Sequence, residues 1–127
     1  MQPHITKHGS EYTLISKVEI PKPREDVFKF FANPKNLELM TPALLKFKII
    51  ELAEEPLKKG STIGYKLRIR GIPLRWQSII SEWSPPSSFE DTQIRGPYRQ
   101  WIHQHRFHEH GNNTIVEDQV RYKVLGG

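Results

Sequence analysis

The sequence predicts an α+β fold dominated by a single antiparallel sheet, and three observations carry that reading. Apolar and polar residues alternate with a period of two through most of the chain. Helical spacing of apolar residues is confined to a short region just after the first alternating run. Turn signals at Gly71-Ile72, Pro85-Pro86, Gly96-Pro97 and Gly111-Asn112 divide the later runs at hairpin spacing. The expected order is one strand, two short helices and six consecutive antiparallel strands, giving seven strands in all. One face of that sheet is apolar and requires a cover.

Residues 12 to 20 place Tyr12, Leu14, Val18 and Ile20 on one face, with Ser16 as the single polar position among them. Pro21 ends this strand. In "PKPREDVFKFFAN", Pro23 and the acidic residues Glu25 and Asp26 precede Val27, Phe28, Phe30 and Phe31, as a helix start requires. Asn33 and Pro34 then suit the N-cap and first turn of a second short helix, "PKNLELM", which Thr41-Pro42 would end. From Leu45 the period is two. Leu45, Phe47 and Ile49 form one face of a strand; Ile63, Tyr65, Leu67 and Ile69 form the apolar face of the next, opposed by Lys66, Arg68 and Arg70. A type II′ turn at Gly71-Ile72 would pair Ile69 with Leu74, Leu67 with Trp76, Tyr65 with Ser78 and Ile63 with Ile80. Strands from Phe89 to Arg95, from about Gln100 to the "HGNN" turn, and from Thr114 to Val124 complete the sheet.

With 127 residues the chain fits one domain, residues 1–127, since no linker, repeat or low-complexity run divides it. The absence of cysteine removes disulfides and thiolate metal ligands, so a reducing, cytoplasmic location is the default. No signal-peptide core and no apolar run long enough to span a bilayer is present, so no stable membrane insertion is expected. The formal charge of +5 arises before Gly71, where 13 Lys and Arg face 8 Asp and Glu. Lys66, Arg68, Arg70 and Arg75 form an outward basic strip that lacks aromatic residues for base stacking, so it reads as a solvated, edge-protecting face and no nucleic-acid partner is expected.

Four of the six histidines fall between His103 and His110. A hairpin turning at Gly111-Asn112 sets Trp101 opposite Tyr122, His103 opposite Val120, His105 opposite Asp118 and Phe107 opposite Val116. Trp101, His103, His105 and Phe107 therefore share the inward face, whereas His108 and His110 run into an exposed turn. The inner pair admits three readings. It forms a pocket wall of hydrogen-bonded polar groups; or His105, oriented by Asp118, is an acid–base pair; or His103, His105 and Asp118 make a minimal metal site. The pocket wall is preferred, and no metal or cofactor is expected. Trp76 and Trp101 face inward, where core packing competes with stacking on a planar ligand. If Asp91 also points inward, it joins His103, His105 and Asp118 in a buried polar cluster that is costly to desolvate unless paired.

The combined motifs resemble the SRPBCC superfamily, which includes START lipid-binding domains, the birch-pollen-allergen family and polyketide cyclase/dehydrase-like proteins. The resemblance rests on "FFANPKNLELMTP", on "IGYKLRIRGIPLRWQSIISEWSPPSSFEDTQIRGPYRQWIHQHRF" and on "TIVEDQVRYKV", and covers nearly the whole chain. It implies a helix-grip fold, in which a curved antiparallel sheet grips a long C-terminal helix around a cavity for an apolar or amphipathic small molecule. It implies no particular reaction. The gripped helix would follow Val124, so the chain is expected to be C-terminally truncated or to have its cavity covered by a second chain, as in a homodimer. The resulting expectation is a protein that binds a small hydrophobic or amphipathic molecule through Trp76, Asp91, Trp101, His103, His105, Phe107, Asp118 and Tyr122. The alternative is a cyclase, dehydratase or hydrolase in which His105 and Asp118 move a proton.

Overall fold

The computed structural model describes residues 3–36, 48–52, 57–69 and 71–125. Eight strands, β1 (His4–His8), β2 (Glu11–Ile20), β3 (Lys48–Leu52), β4 (Thr62–Ile69), β5 (Ile72–Ser84), β6 (Ser88–Arg95), β7 (Tyr98–His110) and β8 (Asn113–Val124), form one antiparallel sheet. Its order is β1-β2-β8-β7-β6-β5-β4-β3, so the last strand lies beside β2 and the β2-to-β3 connection crosses between opposite sides of the sheet. Helix α1 (Arg24–Phe31) lies in that connection and packs on β7 and β8. The helix-grip sheet expected from the sequence is present with its seven strands. The eighth is β1, which adds an exposed N-terminal edge through a hairpin that pairs Ile5 with Leu14 and Lys7 with Tyr12. Its residues, His-Ile-Thr-Lys-His, contain one apolar side chain and so gave no alternating signal.

The sequence of α1 explains its limits. Pro23 precedes the first turn, Glu25 and Asp26 lie at its positive end and Lys29 at its negative end. Val27 and Phe28 face the sheet and are buried. The Asn33 side chain accepts the Lys35 backbone N–H at 3.1 Å, as an N-cap would, and starts a 3₁₀ turn at Pro34–Asn36. The rest of the expected second helix, and Leu45 and Phe47 of the next expected strand, lie outside the described residues.

The β4–β5 hairpin differs from expectation in register. Tyr65 pairs with Trp76, Leu67 with Leu74 and Ile69 with Ile72, two residues short of the expected partners. The connection therefore falls between Ile69 and Ile72, with Gly71 at a φ of 79°, a left-handed conformation that glycine adopts without strain. A shift of two preserves which residues face inward, so Ile63, Leu67, Trp76, Ser78 and Ile80 remain buried together. The β7–β8 hairpin matches expectation throughout, from Trp101 opposite Tyr122 to Phe107 opposite Val116.

The core lies at one end of the concave face. Phe28 descends from α1 onto Phe107, Phe89 and Trp83, with ring centroids 5.2, 5.7 and 5.4 Å apart and edge-on geometry in each case. Ile80 and Val116 complete this cluster. Trp83 reaches it because the β5–β6 register shifts between Ile80 and Glu82, placing an extra residue in β5 and turning an odd-numbered side chain to the face that even-numbered ones occupy. Thr114, fully buried, donates from its hydroxyl to the Lys22 carbonyl at 2.8 Å and ties the approach to α1 onto β8.

Candidate functional site

Moving along the strands away from the α1 core, the concave face changes from apolar to ionisable. Asp91 on β6, His103 and His105 on β7 and Asp118 on β8 converge there. The alternating period places them on one face, and the strand registers set Asp91 opposite His103 and Asp118 opposite His105. The hydrogen bonds nevertheless run along the diagonals. His105 Nε2–H donates to Asp91 Oδ2 at 2.7 Å, and His103 Nε2–H donates to Asp118 Oδ1 at 2.9 Å. The pairing of His105 with Asp118 expected from the register is weaker: Nδ1 lies 3.4 Å from Asp118 Oδ1, and no hydrogen bond to that nitrogen forms. Asp91 therefore belongs to the cluster on geometric grounds, as the inward-facing alternative required.

Phe89, His105 and His103 stack in sequence, with centroids 4.1 and 3.7 Å apart and planes 12° and 23° from parallel. Phe89 screens the core side of His105, while His103 separates it from the open side. Side-chain exposure follows that order, at 11% for His105, 21% for Asp91, 23% for His103 and 30% for Asp118, so a molecule on the concave face reaches the rim of the cluster. Ser16 on β2 sits opposite Asp118 and continues the polar band, which explains the one polar residue in that strand's inward series.

Burial disfavours the charged form of His105, yet the carboxylates of Asp118 and Asp91 more than offset it and raise its pKa to about 9. Burial also opposes ionisation of both carboxylates, and the imidazoles overcome it. Hydrogen bonding from His105 lowers the Asp91 pKa, and the hydrogen bond from His103 together with the close approach of the His105 ring holds Asp118 well below the usual carboxylate range. His105 and both carboxylates are therefore ionised near neutral pH, and a continuous chain of contacts runs from His103 through Asp118 and His105 to Asp91. Asp91, His103 and His105 also offer ligand atoms within 4.8 Å of one another and could hold a divalent metal ion. Doing so would require the 2.7 Å His105–Asp91 bond to open and His105 to lose its proton.

Beyond the cluster the face becomes aromatic. Tyr12, Tyr122, Trp101, Tyr98, Trp76 and Tyr65 form an unbroken belt across the sheet, with successive centroids between 4.7 and 5.9 Å apart. Trp76 is buried, its indole N–H donating to Ser78 Oγ at 3.0 Å, whereas Trp101 and Tyr122 are half-exposed. The Gln93 side chain bonds both the backbone N–H and carbonyl of Tyr98 and fixes that ring's position beyond the Gly96-Pro97 turn. Burial raises the Tyr98 pKa, aided by Tyr122.

Of the eight ligand-facing residues expected from sequence, Asp91, His103, His105, Asp118, Trp101, Tyr122 and Trp76 thus share one continuous surface. Phe107 is 1% exposed and belongs to the core beneath α1. Sequence reasoning missed Tyr65 and Tyr12 as members of the belt; both alternate correctly in their strands, but their neighbours depend on strand order. His108 and His110 lie on the exposed side as expected, where they meet Glu117 at 2.9 Å and Glu19 at 3.1 Å. A separate cleft of about 480 Å³ lies beside α1, lined by Ile20, Lys22, Asp26, Val27, Phe30 and Phe31. It contains none of the clustered histidines or their carboxylate partners.

Among the described residues, no helix is long and apolar enough to cross a membrane. Residues 20–127 match the family model described as polyketide cyclase / dehydrase and lipid transport. No curated protein matches the sequence significantly. Among solved structures, the chain is similar to major latex-like protein 151 from Panax ginseng, with a TM-score of 0.72 at 18% identity over 93% of this chain and 83% of that one. It is also similar to protein CV1439 from Chromobacterium violaceum, with a TM-score of 0.74 at 14% identity over 91% and 82% of the two chains. CalU16 from Micromonospora echinospora gives a TM-score of 0.66 at 13% identity, covering 98% of this chain and 71% of that one. These likenesses establish the fold, and the match over residues 20–127 establishes the relationship: the chain belongs to the polyketide cyclase / dehydrase and lipid transport family, within the SRPBCC group that its motifs resemble.

Proposed function

We propose that the concave face binds a small hydrophobic or amphipathic molecule, with its apolar body against the aromatic belt and its polar end at the His–Asp cluster. The observation that carries this reading is the junction itself. Half-exposed Trp101 and Tyr122 adjoin an ionised, partly exposed cluster on the same face, and few convergent polar groups within an apolar wall are what a small-molecule site needs. The exposed cations Lys66, Arg68 and Arg75 lie on a different face without aromatic partners, which supports a small molecule over a nucleic acid. Native mass spectrometry of the purified protein tests the reading. A retained lipid, polyketide or isoprenoid-like mass supports it. A bare protein that also shows no tryptophan fluorescence change with any amphiphile would sink it.

A second reading has its own observation. His105 lies between two carboxylates with its pKa raised to about 9, so it is protonated at neutral pH and suited to act as a general acid, with Asp91 holding its orientation through Nε2 and Asp118 lying beside Nδ1. His105→Gln separates the two. In a carrier the substitution leaves ligand affinity within about threefold, whereas in an enzyme turnover falls by about a hundredfold or more while binding changes little.

A further inference from the structure

We propose that the site selects molecules whose polar end is a protonated amine, accepts a hydroxyl less well, and rejects a carboxylate. This inference rests on the proposed ligand-binding role of the concave face and specifies the chemistry of its ligand.

The Nε2–H donors of both imidazoles are already committed. His103 Nε2–H is held by Asp118, His105 Nε2–H is held by Asp91, and His105 Nδ1 is buried against Asp118. The carboxylates, by contrast, retain unused lone pairs, because each carboxylate has room for about four hydrogen bonds. Asp118 is also the most exposed of the four side chains, at 30%, so an entering head group meets its carboxylate at the rim of the cluster.

The charge balance points the same way. Among the described residues, no Lys or Arg is ion-paired with Asp91 or Asp118. Arg24 pairs with Glu109, Arg121 approaches Glu11, Arg106 bonds Gln104, and Lys66, Arg68 and Arg75 are exposed on the opposite side of their strands. The two carboxylates of Asp91 and Asp118 thus share one site with imidazoles as their only basic partners among the described residues. A ligand carboxylate would bring a third carboxylate to a site with no Lys or Arg to receive it, while an ammonium would meet two carboxylates. The adjoining faces of Trp101, Tyr98 and Tyr122 add cation–π attraction to the same preference.

The whole chain carries a formal net charge of +5 and so favours anions at long range. An amine preference would therefore have to come from the site.

The test is a matched series of dodecylammonium, dodecanol and dodecanoate, each below its aggregation threshold, titrated at neutral pH against tryptophan fluorescence. The expected order is ammonium, alcohol, carboxylate, with about 30-fold between the first and last. The Asp91→Asn variant, checked for native circular dichroism, should narrow that ratio to a few-fold; Asp118→Asn serves the same purpose if Asp91→Asn does not fold. Equal affinities for all three probes, or tightest binding of dodecanoate, would overturn the proposed selectivity while leaving apolar binding intact. Failure of all three to bind would remove the ligand-binding reading itself, and the selectivity with it.

Discussion

Replacing Phe107 by alanine should lower the free energy of unfolding by about 3–5 kcal/mol, the largest loss expected from a single substitution in this chain. Phe107 is 1% exposed and lies beneath Phe28, beside Phe89 and Val116, where α1 meets the sheet. Deleting its ring removes both its burial and the edge-on contact with Phe28, and the surrounding rigid strands leave little freedom to collapse into the gap. Urea denaturation provides the measurement. Phe30→Ala is the control, since Phe30 is 44% exposed on the same helix and should cost less than about 1 kcal/mol. Equal losses for the two variants would show that the core is not organised around Phe107.

The second large effect is a loss of stability in alkali. The His105 pKa is raised from an ordinary 6.5 to about 9, so the folded state binds the proton more tightly than the unfolded one. Its contribution is fully present below pH 6.5 and is lost as the pH rises through 9. The carboxylates behave oppositely: the pKa values of Asp91 and Asp118 are depressed, so their contribution is present above the ordinary carboxylate pKa and is lost in acid. Both halves describe the same interactions, and together they place maximum stability between about pH 4 and 6.5. The unfolding free energy should fall by about 2–3 kcal/mol between pH 6 and 9.5 in the wild-type protein. His105→Gln should flatten that interval, and an unchanged wild-type value across it would contradict the assigned ionisation.

How much of this was legible in the sequence depended on whether an interaction was local. The β7–β8 hairpin could be registered residue by residue because Gly111-Asn112 marks its turn and a period of two fixes both flanking faces. The β4–β5 hairpin was harder, since Arg70-Gly71 and Gly71-Ile72 both place glycine in a two-residue turn. Sequence alternation cannot distinguish registers that differ by two. Asp91 remained conditional because bulges near Gly96 decide its partners, and a bulge gives no signal in side-chain period until the strand's neighbours are known. The same limitation hid Trp83, whose inward turn depends on the extra residue after Ile80.

Strand order was the larger gap. Placing β2 against β8 brings Tyr12 to Tyr122 and Ser16 to Asp118, contacts spanning more than a hundred residues that no local pattern encodes. That order builds the belt and closes the polar band, so the gap concerned the residues most relevant to the proposed function. It also explains why His105 has two acidic neighbours: the sheet brings β6 and β8 to opposite sides of β7, and each supplies one carboxylate.

Two regions compete to be the ligand site, and their tryptophans report separately. Trp76 and Trp101 belong to the aromatic belt, while Trp83 packs under α1 against Phe28, near the cleft lined by Val27, Phe30 and Phe31. The decisive measurement is an NMR titration with dodecanol that follows the indole N–H resonances of all three and the imidazole resonances of His103 and His105. The proposed function predicts that Trp101, Trp76 and His103 shift together with one affinity while Trp83 stays in place. Shifts confined to Trp83, with the belt and the histidines unmoved, would place binding at the α1 cleft and contradict a site on the concave face.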